Sequence, residues 1–174
     1  MSAATPAYTL SDFDFDLPPA LIAQYPAAQR SGSRLLDGTG HAPADRRFKD
    51  LPALLRRGDL LVFNDTQVVK ARLFGRKPSG GRLELLVERV LHDDAAPHTV
   101  AAHMKVSKKP QPGTVLPMEG GFTATLQGRW PHPENGPLFR VQFSADPYTL
   151  MAQHGHVPLP PYITHRDDAQ DERR

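Results

Sequence analysis

The chain has no cysteine. That absence excludes disulfides, a cysteine nucleophile, a zinc ribbon and a cysteine-bound iron–sulfur cluster. Aromatic residues are scarce, at 7%, and no apolar run approaches the roughly 20 residues of a helical membrane span. The N-terminus lacks the basic-then-apolar pattern of a secretion signal, so a soluble, cytoplasmic protein with no membrane attachment is expected. Neither GxGxxG nor GxxxxGK(S/T) occurs, so nothing points to a dinucleotide fold, a P-loop or the usual methyltransferase nucleotide loop. There is no internal repeat and no coiled coil. The formal net charge of +2 is too small to indicate a nucleic-acid partner by itself.

What is present is more specific. In 174 residues, 39% hydrophobic side chains suffice for a real core. The stretch from Gly58 to Glu84 opens with an apolar run, Leu60 to Phe63, that stops on Asn64, Asp65 and Thr66. A strand ending in such residues delivers them to a crevice. The next segment alternates, with Val69, Ala71 and Leu73 on one side and Lys70 and Arg72 on the other. The turn Lys77-Pro78-Ser79-Gly80-Gly81 tolerates unusual backbone angles and the close approach of a ligand. A second dense block, Gly155 to Ile163, is extended and stiffened by prolines.

Hydrophobic periodicity predicts strands at Val68–Phe74, Arg82–Leu91, Thr99–Met104, Gly121–Leu126 and Leu138–Phe143, separated by turn-rich segments. Short strands spaced in this way build a small antiparallel barrel, with Leu73, Leu85, Val87, Val141 and Phe143 inside and Lys70, Arg72, Arg82 and Arg140 outside. Gly120-Gly121 marks a hairpin turn. Helices are expected at residues 17–25, at residues 51–57 behind an Asp50 cap, and from Asp146 to His154. A short strand is expected at Leu35-Leu36. Asp12, Asp14 and Asp16 alternate with phenylalanines, which reads as an amphipathic strand rather than a catalytic carboxylate set. The resulting fold class is α/β plus all-β. Residues 67–145 form a barrel inserted into a discontinuous, incomplete α/β domain of residues 1–66 and 146–174.

The two dense blocks, with the opening Asp12 to Pro26, Arg30 and Ser33 to Leu36, resemble the S-adenosylmethionine:tRNA ribosyltransferase-isomerases of queuosine biosynthesis. The resemblance runs along nearly the whole chain in the family's order. One departure is Gln67, where the family pattern carries a basic residue. The family also continues into a second half beyond the Pro-Tyr segment. The resemblance therefore implies an N-terminal half, inactive alone, whose apolar surface at Leu60, Val62 and residues 158–161 the other half would cover. It implies transfer and isomerisation of the ribosyl group of S-adenosylmethionine onto 7-aminomethyl-7-deazaguanine at the tRNA wobble position. Epoxyqueuosine forms while adenine and methionine leave. No cofactor or metal is implied, since S-adenosylmethionine is consumed as a substrate. The sulfonium acidifies the adjacent ribose C–H, so a positioned base can generate an ylide. The implied partners are tRNA and S-adenosylmethionine, with the protein a monomer. Radical S-adenosylmethionine chemistry, which needs a cysteine-bound cluster, is not open to these residues.

The candidate substrate-binding residues are Asn64, Thr66, Arg72, Lys77, Gly81, Glu84, His156 and Tyr162; the catalytic base is not identified. Each has a plainer reading. Asn64 and Thr66 can satisfy backbone groups at a corner, and Arg72 and Glu84 can form an ordinary cross-strand pair. His154 and His156 have no carboxylate at a helical ligand spacing, so a hydrogen-bonding role is favoured over a metal site. The lone Trp130 sits among turn residues as a packing cap. Between Lys70 and Arg89, six basic residues face only Glu84 and Glu88. A phosphate-facing surface shows this asymmetry, and so does a solvated barrel face. A non-catalytic RNA-binding β-barrel module is the alternative to the enzyme half.

Overall fold

The computed structural model describes residues 7–169 and residue 171. They form two compact units. One takes in the described residues up to Phe63 together with Tyr162–Thr164; the other takes in Asn64–Pro161 with the described residues from His165.

In the larger unit, alternation of apolar and polar side chains has produced the sheet. It comprises β3 (Arg72–Arg76), β4 (Arg82–Leu91), β5 (Thr99–Val106), β6 (Val115–Pro117), β7 (Thr123–Trp130) and β8 (Leu138–Phe143). Their order is β3-β4-β5-β8-β7-β6, and every pairing is antiparallel. Leu83, Leu85 and Val87 point inward from β4 until a bulge between Val87 and Arg89 shifts the register. The sheet curls so far that its edge strands meet. Gly75 bridges Met118, and the Glu119 amide donates to the Phe74 carbonyl at 2.9 Å. A Cβ on Gly75 would lie 2.6 Å from Met118 Sδ and 2.8 Å from the Pro117 carbonyl oxygen, so glycine is what permits the closure. Leu73, Leu85, Val87, Val141 and Phe143 are all buried, as the strand phases require. Each such side chain contributes about 1.5–3 kcal/mol of burial.

The chain leaves the barrel through α1 (Pro147–His154). Asp146 caps it, accepting hydrogen bonds from the Thr149 amide and hydroxyl at 2.8 Å each, and Leu150 and Met151 pack on the core.

The smaller unit contains the hairpin β1 (Arg34–Asp37) and β2 (Ala44–Arg47) with four 3-10 turns. Among the described residues, every buried apolar side chain lies between Ala71 and Leu159, so this unit has no apolar core of its own. Several expectations fail here for that reason. The helix expected at residues 17–25 is a single turn, Pro19–Leu21. The helix behind Asp50 is a 3-10 segment, Phe48–Leu54, with Pro52 inside it, and the Asp50 carboxylate instead accepts from the Arg47 amide at 2.8 Å. The Asp12–Asp16 region is not a strand: Asp12 lies in an exposed 3-10 turn, Leu10–Phe13, and residues 14–16 follow it in irregular backbone. Leu60 to Phe63, read as a strand, forms none, while the expected apolar exposure is found there, with Leu60 and Val62 at 86% and 84%. Short amphipathic segments are stabilised by packing, and here they find no partner.

Three further readings are corrected in the barrel unit. The first strand of the barrel begins at Arg72 rather than Val68, because Val68 and Val69 stay half exposed and join no strand pairing. Sequence pattern also missed β6, which is only three residues long and contains proline. Residues 158–161, expected to expose apolar surface, include the buried Leu159. Among the described residues the fold is β-rich, with a curled antiparallel sheet and one short α-helix that belongs to the barrel unit.

Candidate functional site

The proline-stiffened block joins the sheet at its β3 edge. His156 and Arg72 exchange backbone hydrogen bonds, Arg72 N to His156 O at 3.2 Å and His156 N to Arg72 O at 2.8 Å. Directly opposed residues of an antiparallel pair project to the same face, which places both side chains outside the barrel. Phe74 comes next on that face, its ring centroid 5.0 Å from that of His156. Glu84 lies across from Phe74 on β4. Arg72 Nε sits 3.1 Å from Glu84 Oε1, close enough for an ion pair but without a hydrogen-bond direction. Arg72 Nη2 donates to the Leu159 carbonyl at 3.0 Å and so ties the extended block to the sheet.

The far side of His156 is held by Asp167. Its two carboxylate oxygens lie 3.0 and 3.2 Å from Nδ1, and the Val157 amide donates to Oδ2 at 3.1 Å. Asp167 and Phe74 were invisible as site residues in the sequence. Asp167 lay outside every expected strand and helix of the sequence, and Phe74 read as the last residue of a strand.

The structure thus gathers Arg72, Glu84 and His156, while the other candidates lie apart from them. Lys77 and Gly81 form the β3–β4 hairpin, where Lys77 N donates to Gly81 O at 2.8 Å. The Lys77 ammonium lies over Gly81, 3.4 Å from Ser107 Oγ and 3.3 Å from the Lys108 carbonyl. Asn64 Oδ1 accepts from the Thr66 amide at 3.0 Å and the Thr66 hydroxyl at 2.7 Å. This closed, exposed local turn is the plainer reading of the pair. Tyr162 is exposed and belongs to the smaller unit, its carbonyl accepting from Gln24 Nε2 at 3.0 Å.

An open cavity of about 300 Å³ lies beside the cluster, lined by residues 67–70, by Tyr148 and Ala152 of α1, and by Val157. The two dense sequence blocks therefore meet at one surface, although Asn64 and Thr66 do not line it. A second hollow, of about 320 Å³, lies in the smaller unit among Arg34, Arg46, Arg47, Asp45 and Asp50, where Arg34 is paired with Asp45 and Arg46 with Asp37.

Carboxyls with displaced ionisation belong to turns and caps. Asp37 is lowered to about 2 by hydrogen bonds from the Thr39 hydroxyl and amide and from Arg46. Asp93 is held low by Arg140 and the Ala95 amide, and Asp146 by the Thr149 amide and hydroxyl. Near the end of the described chain, His165, Asp168 and Asp171 bring three possible ligand atoms within 4.8 Å of one another, a grouping not apparent in the sequence.

Comparison with known proteins gives this geometry a setting. Residues 10–174 match the model of a family described as queuosine biosynthesis protein. The S-adenosylmethionine:tRNA ribosyltransferase-isomerase of Burkholderia pseudomallei is 49% identical over 172 residues, covering 95% of this chain and 45% of its own length. The protein of that name from Burkholderia vietnamiensis is 50% identical over 171 residues, covering 96% and 46% respectively. The crystal structure of S-adenosylmethionine tRNA ribosyltransferase from Thermotoga maritima superposes with a TM-score of 0.41 at 30% identity, covering 83% of this chain and 48% of that one. The chain thus spans a little under half the length of the curated relatives it matches.

Proposed function

We propose, from the premise that the chain belongs to the queuosine biosynthesis protein family, that it is the N-terminal half of a tRNA ribosyltransferase-isomerase. The observation that carries this reading is the 49% identity to enzymes of that name, sustained along 95% of the chain. On this reading the whole enzyme consumes S-adenosylmethionine without a further cofactor. It moves the ribosyl group onto 7-aminomethyl-7-deazaguanine in tRNA, giving epoxyqueuosine, adenine and methionine. Residues 1–66 and 146–174 contribute to a discontinuous α/β domain completed by the other half, with residues 67–145 as the inserted barrel.

The cluster around His156 is where this half meets substrate. The ring of Phe74 offers apolar packing, His156 a hydrogen-bonding edge, and the cavity along residues 67–70 room for a small organic group. Glu84 neutralises Arg72, and Arg72 donates to the Leu159 carbonyl, so the part of the pair is to hold the extended block in place. Lys77, Gly81, Asn64 and Thr66 are further candidate contacts in the larger unit, and Tyr162 is one in the smaller unit.

Adenine release from S-adenosylmethionine tests the reading. In the intact enzyme, His156→Ala or Asn64→Ala should slow tRNA-dependent adenine release while leaving the circular-dichroism spectrum unchanged. The 174-residue chain alone should release none. Turnover by this chain alone would show that the catalytic apparatus has been misplaced. A full-rate His156→Ala enzyme would remove the cluster from the substrate path.

A further inference from the structure

His156 is fixed from three directions. Two backbone hydrogen bonds tie it to β3, the Phe74 ring packs against the imidazole, and Asp167 contacts Nδ1 through both carboxylate oxygens. The carboxylate is itself anchored, because Oδ2 also accepts the Val157 amide at 3.1 Å. The other ring nitrogen, Nε2, makes no hydrogen bond among the described residues, and the side chain remains 40% exposed. Asp167 is the charged group in contact with the ring, while Arg72, opposite His156 on β3, is paired with Glu84 of β4.

We propose that Asp167 is a positioning residue for His156. By accepting the proton on Nδ1, it selects the tautomer in which Nε2 carries the lone pair and faces outward as an acceptor. The group such a nitrogen takes is a neutral O–H or N–H donor on the substrate, and a ribosyl hydroxyl fits the chemistry. This last step rests on the function proposed above, whereas the tautomer does not.

The tautomer can be read directly from the imidazole nitrogen shifts of the 15N-labelled 174-residue chain, with His156→Gln to assign the signals. The expected result is a protonated Nδ1 and an unprotonated Nε2 in the neutral ring. Asp167→Asn should move the population toward the Nε2-protonated form, and Asp167→Glu should restore much of the original balance. A proton on Nε2 in the unaltered chain would overturn the proposal even if no variant folds. So would an Asp167→Asn chain with an unchanged tautomer. In the intact enzyme, Asp167→Asn should raise KM for S-adenosylmethionine several-fold more than it lowers kcat. If the unaltered intact enzyme releases no adenine while the tautomer holds, the functional reading fails and the positioning role stands.

Discussion

At the scale of single residues, the same side-chain chemistry serves both local order and the candidate site. Asp37 shows how completely a carboxylate can be absorbed into a turn. It accepts the Thr39 amide at 3.0 Å, the Thr39 hydroxyl at 2.6 Å and Arg46 Nε at 2.7 Å. Its folded pKa of about 2 lies below the roughly 3.9 of a free aspartate. A depressed carboxylate stabilises the fold fully above the unfolded value, and that contribution is lost as pH falls through the folded value. An NMR titration should therefore place the Asp37 midpoint near 2. Asp37→Asn should lower the urea midpoint of the smaller unit at pH 7, with the deficit shrinking as pH drops from about 4 toward 2. A deficit equal at both ends would assign the effect to packing. Residue identity in sequence carried part of the site only. Arg72, Glu84 and His156 could be named because their neighbours alternate or resemble a known pattern. Asp167 could not, since nothing local distinguishes a carboxylate that will meet a histidine from one that will meet water.

At the scale of elements, period-2 alternation was legible wherever a strand lay over the core. The bounds of β4 and β8 match the pattern, and the positive φ angles of Gly120 and Gly121, 92° and 84°, fit the expected hairpin turn. It failed for Leu60 to Phe63 and for the 3-10 turns of the smaller unit, where the pattern implies a partner the described residues do not supply. The block after α1 shows a different kind of legibility. Gly155 opens the proline-stiffened block with an ordinary φ of −83°, so it is not needed for its conformational freedom. Space is the constraint there. A Cβ at that position would lie 1.9 Å from the Lys70 carbonyl oxygen and 2.4 Å from that of Met151. Gly155→Ala should thus separate His156 from Arg72 and cost about 1–3 kcal/mol, the usual penalty of overpacking. Hydrogen exchange at the His156 and Arg72 amides would report it, with both losing protection while the β7–β8 ladder keeps its own. Unchanged protection at those two amides would mean that the edge can yield at little cost.

At the scale of the whole molecule, the remaining issue is what the basic excess between Lys70 and Arg89 does. The structure sorts those charges. Arg72 is neutralised by Glu84, and Lys77 is engaged with Ser107 and the Lys108 carbonyl. Arg76 and Arg82 differ. They are exposed and stand directly opposite one another across β3 and β4. Like charges opposed across a strand pair destabilise it unless an anion sits between them. Among the described residues neither has a carboxylate partner, and an anion such as a phosphate of the proposed tRNA substrate would complement the pair. Replacing both by alanine in the intact enzyme should weaken tRNA binding. It should also reduce the slope of log K against log salt by roughly 2, about one for each phosphate no longer neutralised. Arg72→Ala should leave that slope nearly unchanged and lower thermal stability instead, since it frees Glu84 and the Leu159 carbonyl from their partner. The two outcomes separate a nucleic-acid surface from a solvated barrel face. If the Arg76–Arg82 double variant keeps the full salt slope, the RNA lies elsewhere and the opposed pair is only a feature of the β3–β4 hairpin.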